Sequence, residues 1–94
     1  MNHFLISYDL RKQRNYEPLW ALLKNSGAVK VLESVWLFSS SSGAAAIRDQ
    51  LMTVIDKDDG LIVLPLTHGA DWGTYGALPP GVSWLNANIR RYAA

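Results

Sequence analysis

The first apolar run, Phe4-Leu5-Ile6-Ser7-Tyr8-Asp9, ends in a carboxylate, and Arg11, Lys12 and Arg14 follow directly. A buried strand that closes on an aspartate, with three cations just beyond it, has the residue types to hold a divalent metal beside a phosphate. On this reading Asp9 is the candidate catalytic and metal-binding residue, with Mg²⁺ or Mn²⁺ as the metal. Arg11, Lys12 and Arg14 are the candidate nucleic-acid clamp. Tyr8 and Ser34 are supporting candidates, because a hydroxyl can orient a water or a phosphate oxygen. Each has a plainer alternative. A strand-end Asp also accepts hydrogen bonds from the following loop or caps a helix. A basic loop is also simply solvated, and Tyr8 and Ser34 also serve in packing or local hydrogen bonding.

The remaining chemistry-bearing residues form weaker patterns. His3 and His68 lack a partner at metal-ligand spacing and read as strand-start and loop histidines. Asp56, Asp58 and Asp59 resemble a fragment of a calcium loop, but Gly60 comes too early and no bidentate Glu follows, so a turn is the reading. Glu33 fits the polar side of a hairpin. No nucleophile–base pair, phosphate-cradling glycine loop or dinucleotide fingerprint is present.

The elements that must position Asp9 follow from the apolar periodicity. His3 to Asp9 reads as a strand, nearly continuous in apolar character and so central in its sheet. Residues 10–15 form a polar loop. Tyr16 to Ser26 reads as a helix with Leu19, Leu22 and Leu23 on one face, extended by Tyr16 and Trp20. Asn15 suits its N-cap, Glu17 and Pro18 its first turn, and Gly27 its stop. Residues 28–39 are rich in strand formers, either as one long strand or as a tight hairpin breaking near Glu33-Ser34. The continuous run Val35-Trp36-Leu37-Phe38 spoils the alternation and favours the break. A second helix is expected over Ala44 to Ile55, with Ile47, Leu51, Val54 and Ile55 inward. Another strand is expected over Leu61 to Leu66, with Pro65 marking an edge or bulge. From Thr67 the chain changes into a Gly- and Pro-rich irregular arm carrying Trp72 and Tyr75. A short helix over Val82 to Tyr92 then presents Trp84, Leu85 and Ile89 on one face. Strand, helix, one or two strands, helix, strand points to an α+β, ferredoxin-like βαββαβ domain, an antiparallel sheet with two helices on one face.

Composition bounds the rest. At 94 residues the chain is expected to be a single domain, its core about 3–66 and its arm 67–94. A domain of this size buries only about two-thirds of its unfolded surface. Four Trp and four Tyr are more than such a core can enclose, which points to aromatic surface that meets a partner, with Trp72, Tyr75 and Trp84 as the candidates. The absence of cysteine excludes disulfides and thiolate metal sites and suits a cytoplasmic location. No secretory leader is expected, and no run approaches the length of a membrane span, so no membrane association is expected. The net charge of +1 hides an uneven layout. Residues 1–31 carry five cations against two anions, and residues 48–71 carry two against five. Any nucleic-acid contact, RNA or DNA, would use the local N-terminal patch and not a global field.

Ile6-Ser7-Tyr8-Asp9-Leu10, Gly27 and Glu33-Ser34-Val35-Trp36 resemble the small CRISPR-associated Cas-two nuclease family and its VapD-like relatives. The likeness covers about residues 3–66. Tyr8-Asp9-Leu10-Arg11 and Leu32-Glu33-Ser34-Val35-Trp36 resemble most the Cas-two-like proteins of the SinR type. Leu32 stands where the family has a Gln, and the glycine-rich tail differs from the family's swapped C-terminal strand. The resemblance implies a ferredoxin-like fold, a homodimer and a short hairpin within 28–39. It also implies that Asp9 of two subunits face each other and hold one divalent metal for phosphodiester hydrolysis. The alternative is a non-catalytic scaffold dimer that binds nucleic acid through the basic loop or protein through the aromatic arm.

Overall fold

The computed structural model describes residues 1–11, 16–67 and 71–89. The elements run β1 (Asn2–Asp9), α1 (Glu17–Asn25), β2 (Val29–Leu32), β3 (Val35–Ser40), α2 (Ala44–Met52), β4 (Gly60–Leu66) and α3 (Pro79–Asn88). The four strands form one sheet in the order β2-β3-β1-β4, with every neighbouring pair antiparallel. The fold is thus a small α+β arrangement with β1 and β3 central. β4 is an edge strand, where Pro65 removes no ladder donor that an inner neighbour needs.

The hairpin alternative holds for residues 28–39: β2 and β3 are separated by the turn Glu33-Ser34. The ladder between them slips between Lys30 and Leu32, a bulge in β2, while the continuous apolar run of β3 is apolar on both sides because Trp36 and Phe38 pack into one core and Val35 and Leu37 into the other. α1 stops in a Schellman motif. Gly27 takes φ +86°, its N–H donates to the Lys24 carbonyl, and the Ala28 N–H donates to the Leu23 carbonyl. Tyr16 is the N-cap of α1 and offers no side-chain cap bond; Asn15 lies outside the described residues. α2 ends three residues before Ile55, because the Thr53 hydroxyl and N–H both turn back onto the Gln50 carbonyl at 2.7 and 3.3 Å. Val54 and Ile55 still pack against the core from the turn.

Period-2 alternation in the central strands makes two cores, one on each face of the sheet. Phe4, Ile6 and Tyr8 of β1 and Trp36 of β3 meet Leu19 and Leu23 of α1 and Ile47 and Leu51 of α2. Both of these helices lie on that face, as the pattern implies. The opposite face is where the expected arm lies. Val31 and Leu37 there pack with Leu85 and Ile89, flanked by Leu5, Val35, Leu66, Trp72 and Trp84. α3 begins earlier than the expected Val82, because Pro79 and Pro80 occupy its first turn, where a missing N–H costs nothing. Trp72 and Trp84, expected as exposed aromatics, are half-buried instead. The Trp72 indole donates to the Ile89 carbonyl at 2.8 Å, and Trp84 stands edge-on to His3. Tyr75 is fully exposed, as expected.

Candidate functional site

Asp9 closes β1 opposite Gly60, the first residue of β4. Alternation points its side chain away from α1 and α2, to the face that holds Leu5 and Ser7. Leu10 turns back and is buried in the first core, which leaves Asp9 and Arg11 together at the surface. Arg11 Nε lies 3.1 Å from Asp9 Oδ2, with 61% of the Arg11 side chain and 71% of the Asp9 side chain exposed. Arg11 Nη1 also donates to the Asp58 carbonyl at 3.4 Å. The Arg11 backbone N–H donates to Asp59 Oδ1 at 2.9 Å, and Asp59 Oδ2 accepts the Asp56 N–H at 2.8 Å. The Asp56–Asp59 segment is therefore a turn whose Asp59 ties the end of β1 to the start of β4.

α3 lies mainly over β2 and part of β3, and reaches the β1–β4 half of that face at His3, Leu5 and Leu66. There Ile62 and Leu64 of β4 remain 54% and 49% exposed, beside Leu5 and next to Asp9. This bare apolar strip continues into a cavity of about 280 Å³ between the sheet and the arm, lined by Leu5, Leu32, Leu66, Trp72 and Tyr75 among others.

The structure does not gather Tyr8 and Ser34 around Asp9. Tyr8 is the neighbour of Asp9 in the chain but points to the opposite face of the sheet. Its buried hydroxyl accepts the indole N–H groups of Trp20 at 2.6 Å and Trp36 at 3.1 Å and donates to the Glu33 carbonyl at 3.3 Å. Burial, the largest influence, pushes the Tyr8 phenol above its ordinary pKa, opposed by the two indole hydrogen bonds. Ser34 sits half-buried in the β2–β3 turn, and Glu33 beside it forms an exposed ion pair with Lys30 at 3.7 Å. The Lys30 ammonium also rests 4.0 Å from the Trp20 ring centroid. Lys12, Arg14 and His68 lie outside the described residues. His3 accepts or donates a hydrogen bond with the Ser39 hydroxyl at 2.8 Å, within the sheet. The aromatic lock on the Tyr8 hydroxyl escaped sequence reasoning. Its partners come from α1, β3 and the β2–β3 turn, and no local spacing announces them.

Among the described residues no three His, Cys, Asp or Glu side chains come together as a metal-binding group. Asp9 supplies one hard oxygen donor group, well exposed. Mg²⁺ or Mn²⁺ takes one or two carboxylates and fills its sphere with water and phosphate. One exposed carboxylate that already carries Arg11 is the whole donor set that this chain offers at Asp9 among the described residues. No helix among the described residues is long and apolar enough to cross a membrane. No protein-family model matches the chain, and no solved structure matches it.

Proposed function

We propose that this chain is a Cas-two-like homodimer on a ferredoxin-like fold, acting in the cytoplasm on RNA or DNA phosphodiesters through paired Asp9 carboxylates and Mg²⁺ or Mn²⁺. The observation that carries this reading is the placement of Asp9 on the same sheet face as the bare strip of Ile62 and Leu64, and at its end. A two-fold contact of that strip with itself buries the apolar surface, and with its axis along the strip or at its Asp9 end it brings the two carboxylates toward one another. The element order and the all-antiparallel sheet are consistent with the ferredoxin-like class. When bound, the ion would stabilise charge on the phosphate and make a water more acidic. Asp9 would hold it, and Arg11, with Lys12 and Arg14, would hold the phosphate backbone.

A second reading is the non-catalytic scaffold dimer. It is favoured by the Asp9–Arg11 ion pair, which already satisfies the carboxylate, and by fully exposed Tyr75 beside an apolar cavity, a surface for a protein partner. One experiment separates the two. Single- and double-stranded RNA and DNA are incubated with the protein and Mg²⁺ or Mn²⁺, with Asp9→Ala as the control, and the oligomeric mass is measured alongside. Metal-dependent cleavage lost in Asp9→Ala supports the nuclease. A dimer that cleaves nothing in the panel supports the scaffold. A monomer contradicts both.

A further inference from the structure

The bare strip of β4 and the cavity under the arm form one continuous patch. Ile62 and Leu64 share their face with Leu66, and Leu66 lines the cavity of about 280 Å³. No Asp, Glu, Lys or Arg among the described residues lines that cavity. Charges stand at the edge of the patch, Asp9 with Arg11 at one end and Lys30 with Glu33 beside Leu32. An apolar centre with charge kept to its rim is the anatomy of a protein–protein interface. The strip alone is too small to hold one. Two half-exposed aliphatic side chains offer on the order of 100 Å² per copy, against roughly 800 Å² per partner in a stable interface. A dimer on this face must draw in more surface, and the patch continues into the cavity mouth. Tyr75 stands there, fully exposed. Gly76 after it takes φ +66°, a left-handed conformation that glycine adopts without strain, and this turn leaves the Tyr75 ring in water in its own chain.

We propose that a second copy of this chain fills the cavity: Tyr75 of each protomer seats in the cavity of the other. This rests on the dimer of the proposed function and not on its metal. A two-fold contact pairs a patch with itself, so plug and socket must lie on the same patch, as Tyr75 and the cavity do. The ring fits the space, because an apolar cavity of about 150 Å³ already takes a benzene. Two aromatic rings bring roughly 300–500 Å² out of water, several times what the strips supply. Thr74, also on the lining, offers a hydroxyl to the incoming phenol. The exchange also selects the axis. With the axis along the strip, Asp9 faces Asp9 at one end and cavity mouth faces cavity mouth at the other. An axis crossing the strip at its Asp9 end would carry the two mouths apart.

Analytical ultracentrifugation over a concentration series reads the dimer constant, and the dye 8-anilino-1-naphthalenesulfonate reads whether the cavity is open. The wild type should dimerise and bind little dye. Tyr75→Ala removes both rings and should weaken the dimer at least about 30-fold for each, with dye entering the emptied cavities. Tyr75→Phe should match the wild type within about threefold, because the ring and not the hydroxyl supplies the contact. Ala77→Phe, which fills the cavity from its own wall, should weaken the dimer with Tyr75 intact. Tyr75 is fully exposed, so Tyr75→Ala keeps the fold, and its result stands by itself if Ala77→Phe does not fold. A Tyr75→Ala dimer as strong as the wild type, with Leu64→Glu monomeric, overturns the seating and leaves the dimer reading standing. Dye bound equally by the wild-type dimer and Tyr75→Ala would mean a cavity open to a small apolar molecule, and overturns the seating as well. A wild type that stays monomeric throughout overturns both.

Discussion

Replacing Gly81 with alanine should lift α3 from the sheet. The added Cβ would stand 2.4 Å from the Val31 Cβ, 2.5 Å from its Cγ2 and 2.6 Å from its Cα. Carbon pairs pack best near 3.5–4.0 Å, so the two backbones must part by about 1 Å. Neither side yields easily. Val31 is held in β2, and the Leu78 N–H ties the start of α3 to the Val31 carbonyl at 2.9 Å. Overpacking of this kind costs about 1–3 kcal/mol, and the Val31 backbone contact puts this case at the upper end. Alanine returns up to about 1 kcal/mol through helix propensity, less in the first turn. The net loss is about 1–2 kcal/mol, which for a chain of this length lowers Tm by about 5–15 °C. Differential scanning calorimetry reads this directly, and red-shifted tryptophan emission should report Trp72 and Trp84 meeting water as the arm loosens. A Tm equal to or above that of the wild type would refute the reasoning, because helix propensity would then outweigh a contact that sterics say cannot be kept.

Three further outcomes follow from the geometry. Leu64→Glu places a charge on the bare strip where the side chain is already 49% exposed, so the fold should lose no more than about 1 kcal/mol, and under the proposed dimer light scattering should report a shift from dimer to monomer. Tyr8→Phe strips two indole donors of their acceptor, one of them on Trp36, which is 2% exposed; the cost should be about 1–3 kcal/mol in urea unfolding. The same phenol sets an alkaline limit. Its folded pKa is raised above the ordinary value of 10.0, so the folded state holds the proton more tightly than the unfolded chain. The Tyr8 contribution is complete below the unfolded pKa and is lost as the pH rises through the folded one. The urea midpoint should therefore fall above about pH 10, and it should fall less steeply in Tyr8→Phe.

Most of the frame could be read along the chain, because local rules wrote it. Gly27 stops α1 in the left-handed conformation that glycine tolerates, Pro65 sits on an edge strand, and Glu33-Ser34 breaks a run whose alternation had failed. The end of α2 was misplaced because Val54 and Ile55 keep helical spacing. The Thr53 hydroxyl, competing for the Gln50 carbonyl, closes the helix first. Trp72 and Trp84 were expected at the surface. Their burial depends on the arm folding back over the second sheet face, a tertiary event with no periodicity of its own. At the site, the position of Asp9 was legible and its partner was not. Arg11 is two residues away and reads as a free phosphate clamp until the turn at Asp56–Asp59 and the space above Gly60 bring its guanidinium onto the carboxylate.

The chain contains no cysteine, so a single thiol can be placed at will. Asp9→Cys protein treated with a short bifunctional thiol reagent tests the central claim most directly. Two copies joined through the Ile62 and Leu64 strip should crosslink efficiently to a dimer at position 9, whereas Ala45→Cys, exposed on α2 behind the sheet, should not. Protein that stays monomeric at position 9, or that crosslinks equally at position 45, would contradict a dimer that brings the two Asp9 side chains together.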